Sequence, residues 1–394
     1  MSASKGDMMQ FYRSLLLFWL ILCGMQSFTY GQDPTYSQFF ANYLHLNPAM
    51  TGLEGGTTLH TQYRDQWARI AGRDAKFITR AATLSIDMPC WNSAIGLFAQ
   101  SNTEGEGFLQ WNQAGFAYAF RPRHQKVGST GYKMEWSLGF SFSYNWFSIR
   151  WDQLRFSDQF DPITGFTGNP SAFQPANRDV PTTSFFDLNV GGHMLFQSKN
   201  KDQTRIGFAL NHLSNPDYSL INNDAFLPIR ATIHASHIGN VSSQLQVIPL
   251  GKIDWQTFPF VSRDSLRSPG VPFWGTGVPL VSLTAGTLLS YGRQARLWGG
   301  GMIQGSLGDL DGVNGTKLQS IYSLIAVTGY RYPVGENGWI NVGLSHDFNI
   351  RGMSDGLGTT EVFIRFNFGN GIGGFREKCT NCKPQKKWLS DSPL

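Results

Sequence analysis

The sequence predicts an all-β protein, a single transmembrane antiparallel β-barrel of about fourteen strands. Three observations carry that prediction. About fourteen segments between Thr57 and Phe368 alternate apolar and polar side chains over roughly ten residues each, the length at which a tilted strand crosses a bilayer. Hydrophobic residues make up 41% and charged residues only 15% of the 394, with 44 Gly and 30 Phe. That is too little charge for a soluble protein and too diluted an apolar content for a helical membrane protein. The connections between the segments also alternate long and short, as they do in outer-membrane barrels.

Taken in order, residues 1–31 read as a signal peptide. The apolar run Leu15 to Cys23 follows Lys5 and Arg13, precedes the polar stretch Gln26 to Gly31, and is too short to span a membrane. Thr29 and Gly31 suit the small-residue positions before a cleavage point, which predicts a mature start at Gln32. Cys23 follows Leu22, which is not small, so lipidation is not expected. Residues 32–56 contain Tyr36, Phe39, Phe40, Tyr43 and Leu46, an aromatic content at odds with disorder. They are expected to fold into the lumen, or against the periplasmic mouth, as a partial plug.

The barrel is expected over 57–368, with strands at 57–67, 77–86, 93–102, 109–120, 132–149, 187–198, 204–214, 231–241, 245–258, 281–291, 295–306, 319–332, 339–350 and 358–368. The clearest alternates Trp136, Leu138, Phe140, Phe142, Tyr144 and Trp146 with Ser137, Gly139, Ser141, Ser143 and Asn145. Successive side chains of a strand point to opposite faces, so this pattern makes a lipid wall and a wet interior. The same rule sends Ile340, Val342, Leu344, Phe348 and Ile350 to lipid, interrupted by His346, and Asn341, Gly343, Ser345, Asp347 and Asn349 to the lumen. In the last strand Val362, Ile364, Phe366 and Phe368 face out while Glu361, Arg365 and Asn367 face in. An even strand count puts both barrel ends, and both termini, on the periplasmic side. The long connections, around 150–186, 215–230 and 259–280, are then extracellular, and the short turns 199–203, 242–244 and 292–294 periplasmic.

Residues 369–394 form a tail in which Arg376, Lys378, Lys383, Lys386 and Lys387 crowd together, the only dense basic run in a chain of net charge +5. No basic stripe interleaved with aromatics implies nucleic acid. A solvated tail or contact with an anionic periplasmic partner fits. Cys90, near a strand end, reads as a packed thiol. Cys379-x-x-Cys382 has half a zinc site's spacing and no second pair, so a local disulfide or no chemistry is expected.

No constellation points to catalysis, a metal or a cofactor. His234 and His237 are three apart on one strand and so face opposite ways, as do adjacent His346 and Asp347. Asp309-Leu-Asp-Gly-Val-Asn-Gly315 opens like a calcium loop, but Ser320 stands where a bidentate Glu is needed. No nucleophile elbow or phosphate-binding loop is present. The better candidates lie in the longest loop, where Trp151, Phe156, Phe160 and Phe166 stand in a polar context with Asp158 and Gln159. Exposed aromatics there suit a protein partner, since such side chains dominate interface hot spots. Packing within the loop or over the barrel mouth is the structural alternative.

The first mature residues, Gln32-Asp33-Pro34 and onward to Asn42, followed by Leu46-Asn47-Pro48-Ala49 and Thr51-Gly52, resemble the amino terminus of the PorP/SprF family of type IX secretion and gliding-associated outer-membrane proteins of Bacteroidetes. Further matches are Tyr63-Arg64-Asp65-Gln66-Trp67, Phe156 to Phe160, Asn211 to Pro216, Leu227 to Arg230, and Glu361 to Phe368. The resemblance covers nearly the whole mature chain in order. It implies a 14-stranded barrel in the outer membrane that retains or displays a secreted cargo protein through that cargo's carboxy-terminal domain, with periplasmic secretion components as further partners. The basic, cysteine-bearing tail departs from the pattern. A passive porin for small polar solutes is the second reading, supported by the inward Ser, Gly and Asn rows; a barrel hydrolase is a distant third.

Overall fold

A computed structural model describes residues 35–67, 76–105, 109–122, 125–127, 132–151, 154–172, 183–218, 226–257, 279–293, 296–309, 317–335, 338–350 and 358–369. Fourteen long strands form the wall: β1 (Thr57–Gln66), β2 (Lys76–Met88), β3 (Ser93–Gly105), β4 (Leu109–Phe120), β5 (Tyr132–Ser148), β6 (Thr183–Gln197), β7 (Gln203–Asn211), β8 (Arg230–Asn240), β9 (Leu245–Thr257), β10 (Pro279–Tyr291), β11 (Arg296–Asp309), β12 (Lys317–Val334), β13 (Gly338–Asn349) and β14 (Thr359–Asn367). Each pairs antiparallel with its sequence neighbours, and β1 pairs with β14, Leu59 opposite Phe366 and Arg64 opposite Glu361, so the sheet closes. Closure removes the open edges that hydrocarbon does not tolerate.

All fourteen expected strands are present, with ends shifted by a few residues. β6 starts at Thr183 rather than near 187, and β12 is longer at both ends. A register shift between Gln304 and Gly305 of β11 places Ile321, not Tyr322, opposite Gly305. The extra residue moves the alternation by one, so Ile321 and Leu324 both face outward.

The burial pattern is inverted relative to a soluble protein. Leu138, Phe140, Phe142 and Tyr144 are exposed while Ser137, Ser141, Ser143 and Asn145 are buried. On β13 and β14, Val342, Leu344, Phe348 and Ile364 are exposed, while Asn341, Ser345, Asp347, Glu361, Arg365 and Asn367 are buried. Aromatic contacts ring the two ends of the wall: Phe120–Trp136, Tyr330–Tyr332 and Phe366–Phe368 at the end carrying residues 56 and 369, and Tyr144–Trp146 and Tyr144–Phe186 at the opposite, far end. Such girdles sit at the two membrane–water interfaces.

Two features differ from the sequence reading. Cys90, expected to be a packed thiol, is disulfide-bonded. It lies in the half-exposed turn Pro89–Trp91 at a barrel end rather than enclosed among apolar side chains. The interior is also less wet than the Ser, Gly and Asn rows implied. Ile238, Ile248, Leu250, Leu288, Trp298, Met302, Ile325, Val327 and Phe363 are all buried, and together with residues from the segment before β1 they form one hydrophobic cluster. The leader at 1–31, the residues from 370 onward with Cys379 and Cys382, and the acidic turn at 310–316 lie outside the described residues.

Candidate functional site in the lumen and at the far rim

Residues 35–56 run through the barrel, and their local structure follows from a few residues. Asn47 caps the short helical turn Pro48–Met50: its Oδ1 accepts from the Ala49 N–H at 2.9 Å, and Pro48 takes the first position, where its missing N–H costs nothing. Gly52 turns the chain back with φ +67, a conformation that favours glycine, and a Cβ there would come within 2.5 Å of Ala94 Cβ. Gly139 of β5 lets the wall approach the turn closely, since a Cβ would lie 2.5 Å from Ala49 N.

Apolar packing holds one side of this segment. Phe39, Phe40, Tyr43, Met50 and Leu53 bury against the apolar inner faces of β8 to β12 and β14, with Phe40 edge-on to Trp298 at 5.9 Å. Polar anchors hold the rest. The Glu361 carboxylate accepts from Ser37 N–H at 3.0 Å, Gln38 N–H at 2.8 Å and Gln62 Nε2 at 2.7 Å. The Arg64 guanidinium lies 3.8 Å from Glu361 and 3.9 Å from Asp347 and donates to the Thr35 carbonyl; Asp347 accepts from Ser37 Oγ at 2.5 Å. Arg365 pairs with Glu54 at 2.7 Å, donates to the Phe40 and Ala41 carbonyls and stands 4.6 Å over the Tyr43 ring. Arg121 donates to the Thr51 and Gly52 carbonyls at 2.6 and 3.1 Å. Asn47 Nδ2 reaches the Gly192 and Phe208 carbonyls at 3.0 Å and His234 Nε2 at 3.1 Å. Buried backbone groups of an irregular segment need such partners, and here the wall supplies them.

Of the family-motif residues, Asn47, Pro48 and Arg64 belong to this network. Tyr63 faces outward beneath Arg80, 5.9 Å from its ring. Gln66 ends β1, and Trp67 packs edge-on to Phe77 at 5.3 Å. Gln32, Asp33 and Pro34 lie outside the described residues. His234 and His237 do part: His234 is buried on Asn47, and His237 is exposed and bonded to Thr204 at 2.9 Å. Among the described residues no three His, Cys, Asp or Glu are placed to hold a metal.

On the far side of this segment the lumen opens into a recess floored by Tyr36, Asn42 and His45 and walled by residues of β3 to β9. The connection after β7 folds over its rim, where Leu227 joins Phe147 and Phe185, with Trp111 and Tyr218 against them. His45 packs edge-on to Phe98 at 5.5 Å, and burial first, then Arg230, depresses its pKa from 6.5 to about 4. A released segment would titrate near 6.5. Packing of neutral His45 is therefore fully favourable above that pH, and its contribution is lost as pH falls from 6.5 through about 4. The change is of order 3 kcal/mol. Protection factors of residues 35–50, which correct for the intrinsic pH dependence of amide exchange, are expected to fall over that window, and a His45→Phe variant should flatten the slope; an unchanged slope counts against the assignment to His45.

The six candidates in the long loop play different parts. Asp158 accepts from Ser171 Oγ at 2.8 Å and Ala172 N–H at 2.8 Å, and buried Gln159 bridges Phe156 N–H and the Asn169 carbonyl. These two hold the loop's own shape. Phe160 and Phe166 face one another at 5.6 Å on the two-stranded hairpin Phe160–Asp161 and Gly165–Phe166, both exposed, with Arg155 stacked on Phe166 and Ile163 94% exposed at the tip. Asp161 fixes the tip by accepting from the Ile163 and Thr164 N–H groups, and those bonds hold its carboxyl below the usual range. Trp151 is half-buried at the start of the loop. The loop thus packs in part on itself, as its structural alternative held, and still presents an apolar hairpin. Sequence reasoning missed the recess residues and the Arg64–Glu361–Asp347 cluster. The cluster's sequence trace is inward-facing charge of opposite sign on β1 and β14, which are neighbours solely through closure.

The family model described as type IX secretion system membrane protein PorP/SprF matches residues 28–366. A comparison with curated protein sequences finds no match. Among solved structures, the chain is similar to a TodX deltaS2S3 mutant monoaromatic hydrocarbon channel, at 10% identity and TM-score 0.44, covering 82% of this chain and 92% of that one. It is also similar to the CymD monoaromatic hydrocarbon channel, at 12% identity and TM-score 0.42, covering 82% and 90%. A third is the translocator domain of autotransporter NalP from Neisseria meningitidis, at 10% identity and TM-score 0.32, covering 82% and 92%.

Proposed function

The chain belongs to the family of type IX secretion system membrane proteins PorP/SprF, and from that premise we propose that this outer-membrane barrel is a non-enzymatic scaffold that holds a secreted cargo protein at the cell surface through the cargo's carboxy-terminal domain. The observation that carries this reading is the packed segment 35–56, which acts as a plug: apolar burial, two arginine–carboxylate clusters and Asn47 tie it to the wall. A stoppered barrel serves as an anchor rather than a conduit, which weighs against the passive porin. Both termini lie on the periplasmic side, so that the basic tail 369–394 meets periplasmic secretion components and the long loop faces out.

Cargo contact falls to the hairpin, with Phe160 and Phe166 as anchors flanked by Trp151 and Phe156, and Asp158 and Gln159 holding them in place. Truncating an aromatic hot spot costs about 2 kcal/mol or more, roughly 30-fold in affinity. The double variant Trp151→Ala, Phe160→Ala is expected to shed the displayed partner into the medium while the barrel still assembles. Full surface retention in cell fractionation would sink the proposed contact.

A further inference from the structure

The recess between the plug and the far rim has a chemistry of its own. We propose that it binds a neutral, polyhydroxylated ligand. Five carboxamides, Asn42, Gln100, Gln113, Asn189 and Asn211, stand in its lining, and several have bonding capacity in hand. Asn42, 1% exposed, makes no hydrogen bond through either side-chain atom, and the Asn211 amide nitrogen, on a side chain whose residue is 5% exposed, also makes none. Gln100 spends its oxygen on the Tyr36 hydroxyl at 2.9 Å, which leaves its amide nitrogen for an occupant. Gln113 donates to Ser143 at 3.0 Å, which leaves its carbonyl oxygen. Such a set offers both donors and acceptors, the complement of hydroxyls that each donate and accept. Buried amides without partners carry a cost that a hydrogen-bonding occupant removes.

Trp111 supplies the apolar platform. One face of its indole stacks on Phe147 at 5.4 Å and its Nε1–H is held by Asn145 at 3.0 Å, which fixes the ring where it lines the recess. A fixed aromatic face beside amide donors and acceptors matches the C–H face and the hydroxyl rim of a pyranose. Of the cations lining the recess, Lys252 is paired with Asp254 at 2.6 Å and His212 with Asp187 at 2.8 Å; Arg230 lines it as well, so an anion is the competing occupant that the test includes. The amides argue against a hydrocarbon.

The test is calorimetric titration of the full-length protein in lauryldimethylamine oxide, a detergent without a sugar head group, with sucrose, lactose and methyl α-glucoside as probes. Saturable binding of at least one sugar is expected, weakened at least tenfold by Gln100→Leu and by Asn211→Leu. Each variant is checked for the heat-modifiable gel mobility of an intact barrel. No saturable heat from any of the three overturns the proposal, as does equal binding by both folded variants, or tighter binding of sodium sulfate or trialanine than of every sugar.

Discussion

Replacing Glu361 by alanine is expected to free the leading end of the plug and turn a silent barrel into a conducting one. Glu361 is 0% exposed, accepts two backbone N–H groups and the Gln62 amide, and faces Arg64. Without it, Ser37 and Gln38 lose their acceptor, and the buried Arg64 keeps the Thr35 carbonyl and, as its remaining carboxylate, Asp347 at 3.9 Å. Removing one partner of a buried ion pair costs about 3–5 kcal/mol because the other charge is left uncompensated in a poorly solvated place. The barrel wall needs none of these side-chain bonds, since its strands are joined by main-chain hydrogen bonds. The loss therefore falls on the plug. Planar-bilayer recordings should show no steady conductance for the unaltered protein and discrete openings for the variant, both with the same heat-modifiable mobility. Large steady conductance in the unaltered protein would overturn the plug and restore the porin.

A charge placed on the outer wall is expected to cost an amount set by its depth. Leu344 lies midway along β13 and is 47% exposed, whereas Phe368 follows the end of β14 within the aromatic girdle. Arginine at the bilayer midplane costs about 2–4 kcal/mol and near an interface about 0–1 kcal/mol. Leu344→Arg should thus lower unfolding stability in lipid vesicles by several times the cost of Phe368→Arg, measured by denaturant titration. On a water-facing wall both changes would be small, within about 0.5 kcal/mol, and that result would remove the membrane reading.

Most of the wall was legible because side-chain direction in a strand repeats every two residues, a property each segment carries locally. Trp136 to Trp146 declares an oily face without reference to any other strand, and Arg365 is assigned inward by that rule alone. The rule fails where something local is added, as at Gln304 and Gly305, where one extra residue shifts the phase. It also says nothing about what an inward apolar side chain meets. Ile248, Leu288 and Val327 break the expected wet interior because Phe39, Phe40 and Tyr43 pack against them.

From its residues alone, this chain declares a closed, lipid-facing β-barrel with an aromatic-rich segment before its first strand, because alternation and strand length are local consequences of the backbone. The three-dimensional arrangement decided that this segment packs inside the barrel, that Arg64, Asp347 and Glu361 form one cluster, and that amides from β3, β4, β6 and β7 and from that segment share one recess. Ser37 and Glu361 are 324 residues apart in the chain and meet only because β1 pairs with β14. No local pattern encodes such a meeting; it follows from closing the sheet into a cylinder and filling it.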